Sequence, residues 1–564
     1  MTDHPLTPDP VKQYIDEQKI EIVMNTGINK ILRERPSDAL SALAVYLTSN
    51  AEKKAIFSKF ECEETIIGGK YHSFNTQVFI DFAGEVKCRH IHNYTFENED
   101  YTDSDEGNQT FMEQVIKAME IITNEINPLL AGQDLSIVKK TDMILQRFFE
   151  EKYALSKAEG EGEETPEDPI PGKIAIKVAS EALIHGIAKC YDDYNTYDSY
   201  GTLMTGSKVD PSSFTKLMVT VLEVPRAGGA GGKVPAGKMK FSSLYLILTP
   251  APGVKLLQTF VKIQKAIHAN INATKVGLNG YKLQGNGAYF NASDNITECL
   301  KLLEDAINST GCNSDEHTVA TIGFNSEPEA YYNSEQNKYD IEGPKNLFDA
   351  GMFVDWYIKL LNDHPLVSYL EDPFAEKEGY QLLPQKLQEA GLDQRVKFGL
   401  RNFHKGNLET LKIHTEFIEK EEEDEAEGEE EKKEEAPEGE GEQPAEEEKK
   451  ETPEGEGEGD KEPEDPNKDK FYANILHVDR THYKLFSDFL DFQSYGNTQK
   501  GERKQRVIIQ DNFYESSNSD IIDLALGLNA AYVNIKGINN STKLAKVLRY
   551  NTVSSRLLKL ADSE

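Results

Sequence analysis

Apolar residues in the carboxyl-terminal part of the chain alternate between short continuous runs and longer segments with helical spacing. The short runs predict strands at 217–224, 244–249, 319–324, 366–370, 396–399, 473–478 and 507–510. The longer segments predict helices between them, as at 254–271, 296–308, 347–361 and 519–528. Strands that alternate with helices are typical of parallel β/α units. Their number is sufficient to close a barrel, so the predicted fold class is α/β.

The preceding residues, 53–213, change from a strand period to a helical one. Alternation at 57–62, 75–81 and 86–91 predicts strands, with turns at Gly68-Gly69 and Ala83-Gly84. Helical spacing follows at 108–149 and 174–191. We therefore expect an α+β domain at 53–213 followed by a (β/α) barrel at 214–564.

The first 52 residues form a separate unit with two short amphipathic helices. Pro36 is expected to end the first helix, and Ser37 or Asp38 to cap the second. Two short helices bury little apolar surface alone, so they need a partner or a second copy, unless the hairpin packs on its own body. The candidate docking residues are Ile22, Ile28, Ile31, Leu32, Leu40, Leu43 and Leu47.

Charge is distributed unevenly along the 564 residues. The formal net charge is −35, and the stretch 419–470 holds 27 acidic against 8 basic residues. This stretch is poor in apolar residues, so we expect a disordered acidic insertion in the barrel and not a domain boundary. The excess of acid excludes a general nucleic-acid-binding protein. No run is long enough to span a bilayer, and the five dispersed cysteines indicate a reducing, cytoplasmic compartment.

Several short motifs suggest chemistry that their context does not support. The glycine-rich loop 228–233 departs from the phosphate-loop pattern, because Ala227 precedes it and Val234 follows its lysine. His90 and His92 fall on one face of a predicted strand, but no third ligand is evident, so a metal site is not expected there. No Gly-x-Ser-x-Gly motif is present.

One segment does suggest an active site. The strand pattern at 366–370 leads directly into Glu371, Asp372 and Pro373. Acidic residues at the carboxyl end of an apolar strand are typical of metal sites at the mouth of a (β/α) barrel. The full run Glu371-Asp-Pro-Phe-Ala-Glu376, together with 322–325, 331–341, 354–370 and 523–528, resembles enolase over roughly residues 53–564.

The resemblance implies a demanding reaction whose residues are mostly replaced. Enolases use a lysine base, a glutamate acid and two Mg²⁺ ions, the primary ion being held by three carboxylates. The three metal positions fall on Asn325, Glu371 and Gly399, so one carboxylate remains, and the lysine position falls on His477. The other family positions, at 284–287, near Tyr245, at 510–513 and near Asn534, also lack the expected residues.

These replacements imply a catalytically inactive, enolase-like scaffold with no cofactor, in which Glu371 to Pro373 persist for structural reasons. One alternative is a divergent Mg-dependent enolase or lyase that acts on a phosphorylated hydroxy acid. It would use His477 as base and Glu371 with Asp511 as metal ligands. Another is a barrel mouth that still binds a small molecule as a sensor.

Residues 28–47 resemble the dimerisation/docking module of the regulatory subunit of cAMP-dependent protein kinase and DPY-30-like proteins. This resemblance implies a four-helix dimer whose groove binds an amphipathic helix. An enolase-like body with docking helices is similar to enolase-related proteins of cilia and sperm flagella. It implies a structural component of the ciliary axoneme, such as its central apparatus, with axonemal partners, a possible homodimer and a cytoskeletal location.

Overall fold

The computed structural model describes most of the chain outside the acidic stretches. The described residues are 20–50, 54–67, 71–94, 105–154, 169–192, 194–206, 209, 214–223, 241–274, 281–283, 287–290, 295–314, 316–341, 346–417, 467, 470–478, 483–499, 504–510, 518–535, 537 and 541–561. The predicted acidic insertion, the loop 228–233 and the Gly68-Gly69 turn lie outside them, apart from the residues near the end of the insertion.

The amino-terminal unit is the predicted helical hairpin, α1 (Ile20–Glu34) and α2 (Ala39–Asn50). The Asp38 carboxylate caps α2, because it accepts hydrogen bonds from the Ser41 backbone N–H at 3.0 Å and the Ser41 hydroxyl at 2.6 Å. The two helices approach closely at Gly27, where a methyl group would lie 2.5 Å from the Tyr46 ring. The predicted boundary between the helices is therefore correct, and Asp38 supplies the cap.

An antiparallel sheet follows, made of β1 (Ala55–Ile67), β2 (Tyr71–Phe82) and β3 (Glu85–Asn93) in that order. The Ala83-Gly84 turn between β2 and β3 has positive φ at both residues, 57° and 83°, as a tight hairpin turn requires. All three strands were predicted, and each is longer than its apolar run.

Helices cover this sheet and share a core with it. They are α3 (Asp105–Ile121), a π-helical turn (Ile122–Ile126), α4 (Asn127–Leu130), α5 (Val138–Phe149), a second π-helical turn (Glu150–Ala154), α6 (Pro169–Tyr191) and α7 (Thr196–Thr205). The apolar α6 is buried along most of its length and contacts both β2 and β3. The predicted α+β composition is correct, whereas the exact domain boundaries remain predictions.

The rest of the chain forms a closed eight-stranded barrel, in which the last strand pairs with the first. Its strands are β4 (Lys216–Glu223), β5 (Ser243–Leu248), β7 (Ala320–Asn325), β11 (Val367–Glu371), β12 (Lys397–Leu400), β13 (Ile475–Val478), β14 (Arg506–Gln510) and β15 (Tyr532–Ile535). Short strands outside the barrel are β6 (Tyr289–Phe290), β8 (Tyr332–Asn333), β9 (Lys338–Asp340) and β10 (Leu347–Phe348). The α/β barrel is thus confirmed.

Helices on the outside of the barrel connect most of these strands. They are α8 (Leu256–Ala273), α9 (Ile296–Asn308), α10 (Ala350–Asp363), α11 (Lys377–Glu389), α12 (Leu408–Thr415), α13 (Phe486–Thr498), α14 (Asp520–Gly527) and α15 (Ser541–Ala561). In the described part of the chain, none of the helices combines the length and apolarity needed to cross a membrane.

Two features of the barrel differ from the prediction. First, β5 runs antiparallel to both of its neighbours, β4 and β7. An antiparallel neighbour needs no crossover helix, and the sequence indicates no helix between these two strands. Second, β15 was not predicted, because its four residues include Asn534 and form too short an apolar run.

Candidate functional site

The family positions identified in the sequence meet at one end of the barrel, which we call the barrel mouth. Asn325, Glu371 and Gln510 are the last residues of their strands, and His477 lies one residue before the end of β13. Glu371 is aligned with Asn325 on one side and with Gly399 on the other. The carboxyl ends of barrel strands are where (β/α) barrels place their active sites.

Glu371 is fully buried at the centre of a hydrogen-bond network. Its carboxylate accepts a hydrogen bond from the Asn325 amide at 2.6 Å and lies 3.0 Å from Nδ1 of His477. The Tyr245 hydroxyl donates to the same carboxylate at 3.2 Å. A second hydroxyl, that of Tyr369, lies 3.5 Å away. The acceptor sites of the Glu371 carboxylate are therefore used by side chains of the barrel itself.

The pKa values of the two adjacent carboxyl groups, Glu371 and Asp372, are shifted in opposite directions. Burial opposes ionisation of Glu371, but the charge and hydrogen bond of His477 hold the pKa of Glu371 at about 2. Burial and the nearby Glu371 charge raise the pKa of Asp372 to about 8. Glu371 is therefore an ionised partner of His477, whereas Asp372 is protonated at neutral pH.

Asp372 stabilises the loop that follows β12. Its Oδ1 accepts hydrogen bonds from the backbone N–H groups of Arg401 at 2.7 Å and Asn402 at 3.2 Å. Its φ of 44° lies in the left-handed region, which aspartate and asparagine tolerate better than most residues. Asp372 thus joins the end of β11 to the loop that follows β12.

The rest of the acidic segment also has a packing role. Glu376 caps α11 by accepting from the Gly379 N–H at 3.2 Å, and it accepts a hydrogen bond from the Tyr339 hydroxyl at 3.0 Å. The buried Phe374 ring lies against Gly379 so closely that a methyl group there would collide with it. These contacts give the acidic segment a structural role in the packing of β11 and α11.

A tyrosine fills the space beside the third metal position. The Tyr369 ring, on β11, packs between Gly323 on β7 and Gly399 on β12. A methyl group on Gly399 would collide with the Tyr369 hydroxyl and lie 3.0 Å from its Cζ. A carboxylate at position 399 would therefore be incompatible with the observed position of Tyr369.

The remaining family positions carry neutral side chains or lie outside the described residues. The Asn534 amide donates to Gln510 Oε1 at 3.2 Å, so two amides pair where the resemblance implies a lysine and a phosphate-binding segment. Asp511 and Asn512, as well as 284–286, lie outside the described residues. A cavity of about 720 Å³, lined by Lys216, Lys397 and Arg506 among others, is at the opposite end of the strands and not at the mouth.

The predicted docking residues divide into two groups on the helical hairpin. Ile22, Leu32 and Leu40 are 66%, 65% and 80% exposed, and Ile28 is also exposed. Ile31, Leu43 and Leu47 are half-buried. The hairpin therefore presents apolar side chains to solvent in the single chain, as a docking unit would, while its partner remains a prediction.

A second cluster of polar residues, around β3, contains one more histidine than the sequence suggested. His90 and His92 do lie on one buried face of β3, as predicted, and the intervening Ile91 is exposed. The expectation that they lack a third histidine is wrong. His185 from α6 joins them, and the three residues offer ring nitrogens that all lie within 4.8 Å of one another. His185 was missed because it lies in an apolar helix far along the chain.

Comparison with known proteins identifies the barrel. Residues 221–398 match the family model described as the enolase C-terminal TIM barrel domain. The chain is also similar to an enolase of Bifidobacterium adolescentis, with 34% identity over 80 residues, which are 14% of this chain and 17% of that protein. The first match relates residues 221–398 to the enolase barrel, and the second is consistent with the enolase family. The family match includes Asn325 and Glu371 and ends before Gly399 and His477.

Proposed function

We propose that this protein is a non-catalytic, enolase-like scaffold that binds partner proteins through its amino-terminal helices. The observation that carries the first half of this proposal is the state of Glu371. The single retained carboxylate is fully buried and accepts hydrogen bonds from Asn325, Tyr245 and His477. A catalytic carboxylate must instead be available to a metal ion or substrate.

The residues at the mouth do not fit the Mg²⁺ ions that the enolase resemblance implies. Mg²⁺ prefers oxygen ligands, and charged carboxylates in particular, in a near-octahedral arrangement. Asn325 contributes an amide whose Oδ1 accepts from the Glu327 backbone at 2.8 Å, and Gly399 contributes no side chain. Tyr369 occupies the adjoining volume. Of the three metal positions, only Glu371 therefore offers a carboxylate, and its oxygens already accept hydrogen bonds from the protein.

One observation favours the alternative of a divergent lyase. The Glu371 carboxylate lies 3.0 Å from Nδ1 of His477, and a carboxylate that orients an imidazole is an arrangement used by general bases. Against this, both side chains are buried, with 0% and 1% exposure, so neither is accessible to a substrate. The pair is better explained as an internal hydrogen-bonded pair that closes the mouth.

A turnover assay separates these two functions. The full-length protein, Glu371→Gln and His477→Gln would be assayed for dehydration of 2-phosphoglycerate in Mg²⁺, beside an active enolase as positive control. We expect no turnover above that of buffer for any of the three. Turnover by the unmodified protein that either substitution abolishes would establish the lyase and refute the scaffold.

The second half of the proposal concerns the helical hairpin. Its exposed apolar residues, including Leu32 and Leu40, support burial against a second copy or an amphipathic helix of a partner. Together with the resemblance to ciliary enolase-related proteins, this supports an axonemal, cytoskeletal role within the cytoplasm. The acidic insertion would then act as a spacer or contact basic partners.

Truncation tests this part. Deletion of residues 1–50 is expected to release a tagged protein from the axoneme of a ciliated cell while circular dichroism shows that the barrel remains folded. Replacement of Leu32 and Leu40 by glutamate should have the same effect, whereas the control variant Ser37→Ala should stay at the axoneme. Retention of the truncated protein at the axoneme would contradict docking through these helices.

A further inference from the structure

Three buried histidines converge where the α+β domain meets the barrel. His90 and His92 extend from β3, and His185 extends from α6. Their ring centroids are separated by 4.9 Å for His90 and His185, 5.8 Å for His92 and His185, and 5.9 Å for His90 and His92. We propose that this histidine cluster is a binding site for a divalent transition metal ion of the zinc class.

Each imidazole has a side-chain oxygen close to one of its two nitrogens. Asp520 Oδ2 lies 3.1 Å from Nδ1 of His90, and Glu181 Oε2 lies 3.1 Å from Nε2 of His92. The Tyr200 hydroxyl contacts Nδ1 of His185. Histidines that bind metals characteristically place their second nitrogen on a carboxylate or another oxygen, which fixes the ring orientation. The opposite nitrogens, Nε2 of His90 and His185 and Nδ1 of His92, are then the ligand atoms.

The charges around the cluster suit a dication. Two carboxylates, Glu181 and Asp520, face the imidazoles directly, and one ammonium group, that of Lys189, lies 3.1 Å from Asp520 Oδ2. Lys189 also lies 3.1 Å from Nδ1 of His90, on the side where Asp520 is bound. The formal charge of these three outer groups is −1, so a divalent ion would be partly compensated.

The distances are compatible with a site that closes around the ion. Zinc binds imidazole nitrogen at about 2.0–2.1 Å, so tetrahedral ligands lie about 3.3 Å apart. One ring nitrogen of each histidine lies within 4.8 Å of the other two, and rotations of the rings about their side-chain torsions can reduce these separations. Three imidazoles favour zinc and its neighbours in the first transition series over Mg²⁺ or Ca²⁺.

The location suggests what the ion would do. None of the three histidines lies on a barrel strand, so the cluster is separate from the barrel mouth. Asp520 is the first residue of α14, on the barrel side, whereas the histidines belong to the α+β domain. An ion bound there would fasten the two domains. A surface cavity of about 550 Å³ is lined by His90 together with Lys189 and Asn518, next to the cluster.

Metal titration of the full-length protein tests the proposal. After treatment with a chelator, one equivalent of Zn²⁺ should bind and raise the melting temperature, and Co²⁺ should give the visible absorption of a tetrahedral site. His185→Gln should weaken Zn²⁺ binding at least about a hundredfold and abolish the cobalt bands. Asp520→Asn, which keeps all three imidazoles, should weaken it by about 10–100-fold.

A matched control is available in His268. Its Nδ1 contacts the Tyr289 hydroxyl at 2.9 Å, as His185 contacts Tyr200, but His268 is not part of the cluster. His268→Gln should therefore bind Zn²⁺ like the unmodified protein. Should His185→Gln fail to fold, Asp520→Asn and X-ray absorption of the unmodified zinc complex, with three imidazole ligands expected, still decide the matter. Absence of stoichiometric Zn²⁺ binding, or binding that His185→Gln and Asp520→Asn leave unchanged, would show a purely structural cluster.

Discussion

The barrel mouth and the histidine cluster contain similar residues in opposite arrangements. At the mouth, an amide, an imidazole and hydroxyl groups converge on the carboxylate of Glu371. In the cluster, the carboxylates of Glu181 and Asp520 lie outside and the imidazoles converge on one another. The first arrangement satisfies its central group from within, whereas the second surrounds a point that a cation can occupy. The position of the carboxylates, at the centre or at the periphery, distinguishes the two regions more than the kinds of residue do.

The largest effect is expected from Glu371→Ala. Removal of a buried hydrogen-bond acceptor leaves its donors unsatisfied, which typically costs about 1–3 kcal/mol per donor. His477 and Asn325 would both lose their buried acceptor. Thermal unfolding followed by circular dichroism should show a strongly reduced melting temperature.

A control for Glu371→Ala is Glu409→Ala on α12. Glu409 is exposed and pairs with Lys412 at 3.3 Å, so its loss should change stability by less than about 0.5 kcal/mol. Active-site residues often lower stability, and their removal often raises it. An unchanged or higher melting temperature for Glu371→Ala would indicate a functional site that is not internally satisfied.

Asp372→Asn should change the free energy of unfolding by an amount that depends on pH and is on the order of a few kcal/mol. Since the folded-state pKa of Asp372 is raised from 3.8 to about 8, the folded state binds more protons than the unfolded state between these values. Stability contributed by this group therefore falls as pH rises from about 4 to about 8. Asparagine keeps the oxygen that accepts from Arg401 and Asn402 and does not ionise. The stability of Asp372→Asn relative to the unmodified protein should therefore increase over that pH interval.

Melting temperatures of Asp372→Asn and of the unmodified protein from pH 4 to pH 9 measure this difference in stability. Asp372→Ala is the control, since it removes ionisation and also both backbone hydrogen bonds, and it should be less stable than Asp372→Asn at every pH. A stability difference between Asp372→Asn and the unmodified protein that is independent of pH would show that Asp372 is already ionised in the folded state.

Gly399→Ala tests the tyrosine that fills the mouth. The added methyl group would collide with Tyr369, and overpacking of this kind costs about 1–3 kcal/mol. Tyr369→Phe removes the hydroxyl, which is the nearest obstacle, and should recover part of the loss in the double variant. Additive effects of the two substitutions in a double-mutant cycle would mean that Tyr369 does not occupy the space beside position 399.

The smallest effect is expected from Glu181→Gln in the histidine cluster. If Glu181 orients His92, the substitution should weaken Zn²⁺ binding about tenfold, or about 1.4 kcal/mol, without changing the barrel mouth. Isothermal titration measures this, and Glu371→Gln serves as the matched control in the other region. Equal Zn²⁺ affinities for Glu181→Gln and the unmodified protein would show that Glu181 does not position His92 for metal binding.

The sequence predicts most of the fold because periodicity reports local structure. All seven predicted barrel strands are present, and the capping of α2 by Asp38 follows from residue type alone. Strand direction is not a local property, so the antiparallel orientation of β5 was missed, and Asn534 interrupts the apolar run of β15. The acidic segment predicted where the mouth lies, because it follows the carboxyl end of a strand, and the carboxyl ends of the parallel strands lie at one end of the barrel.

The sequence could not predict the contacts that define the two sites. Tyr369 lies between Gly323 and Gly399, and this packing depends on strand register across three separate segments. His185 meets His90 and His92 only because α6 lies on β3. The histidine pair on one strand face was a partial signal, and a buried histidine in an apolar helix was the missing part.

The most direct test of the central claim is Mg²⁺-dependent dehydration of 2-phosphoglycerate by the purified full-length protein, with Glu371→Gln measured in parallel. A closed barrel mouth predicts that both proteins show the rate of the buffer, while an active enolase in the same assay turns over. A rate above that of the buffer that Glu371→Gln removes would contradict the account, because it would require Glu371 to act on a metal ion or substrate.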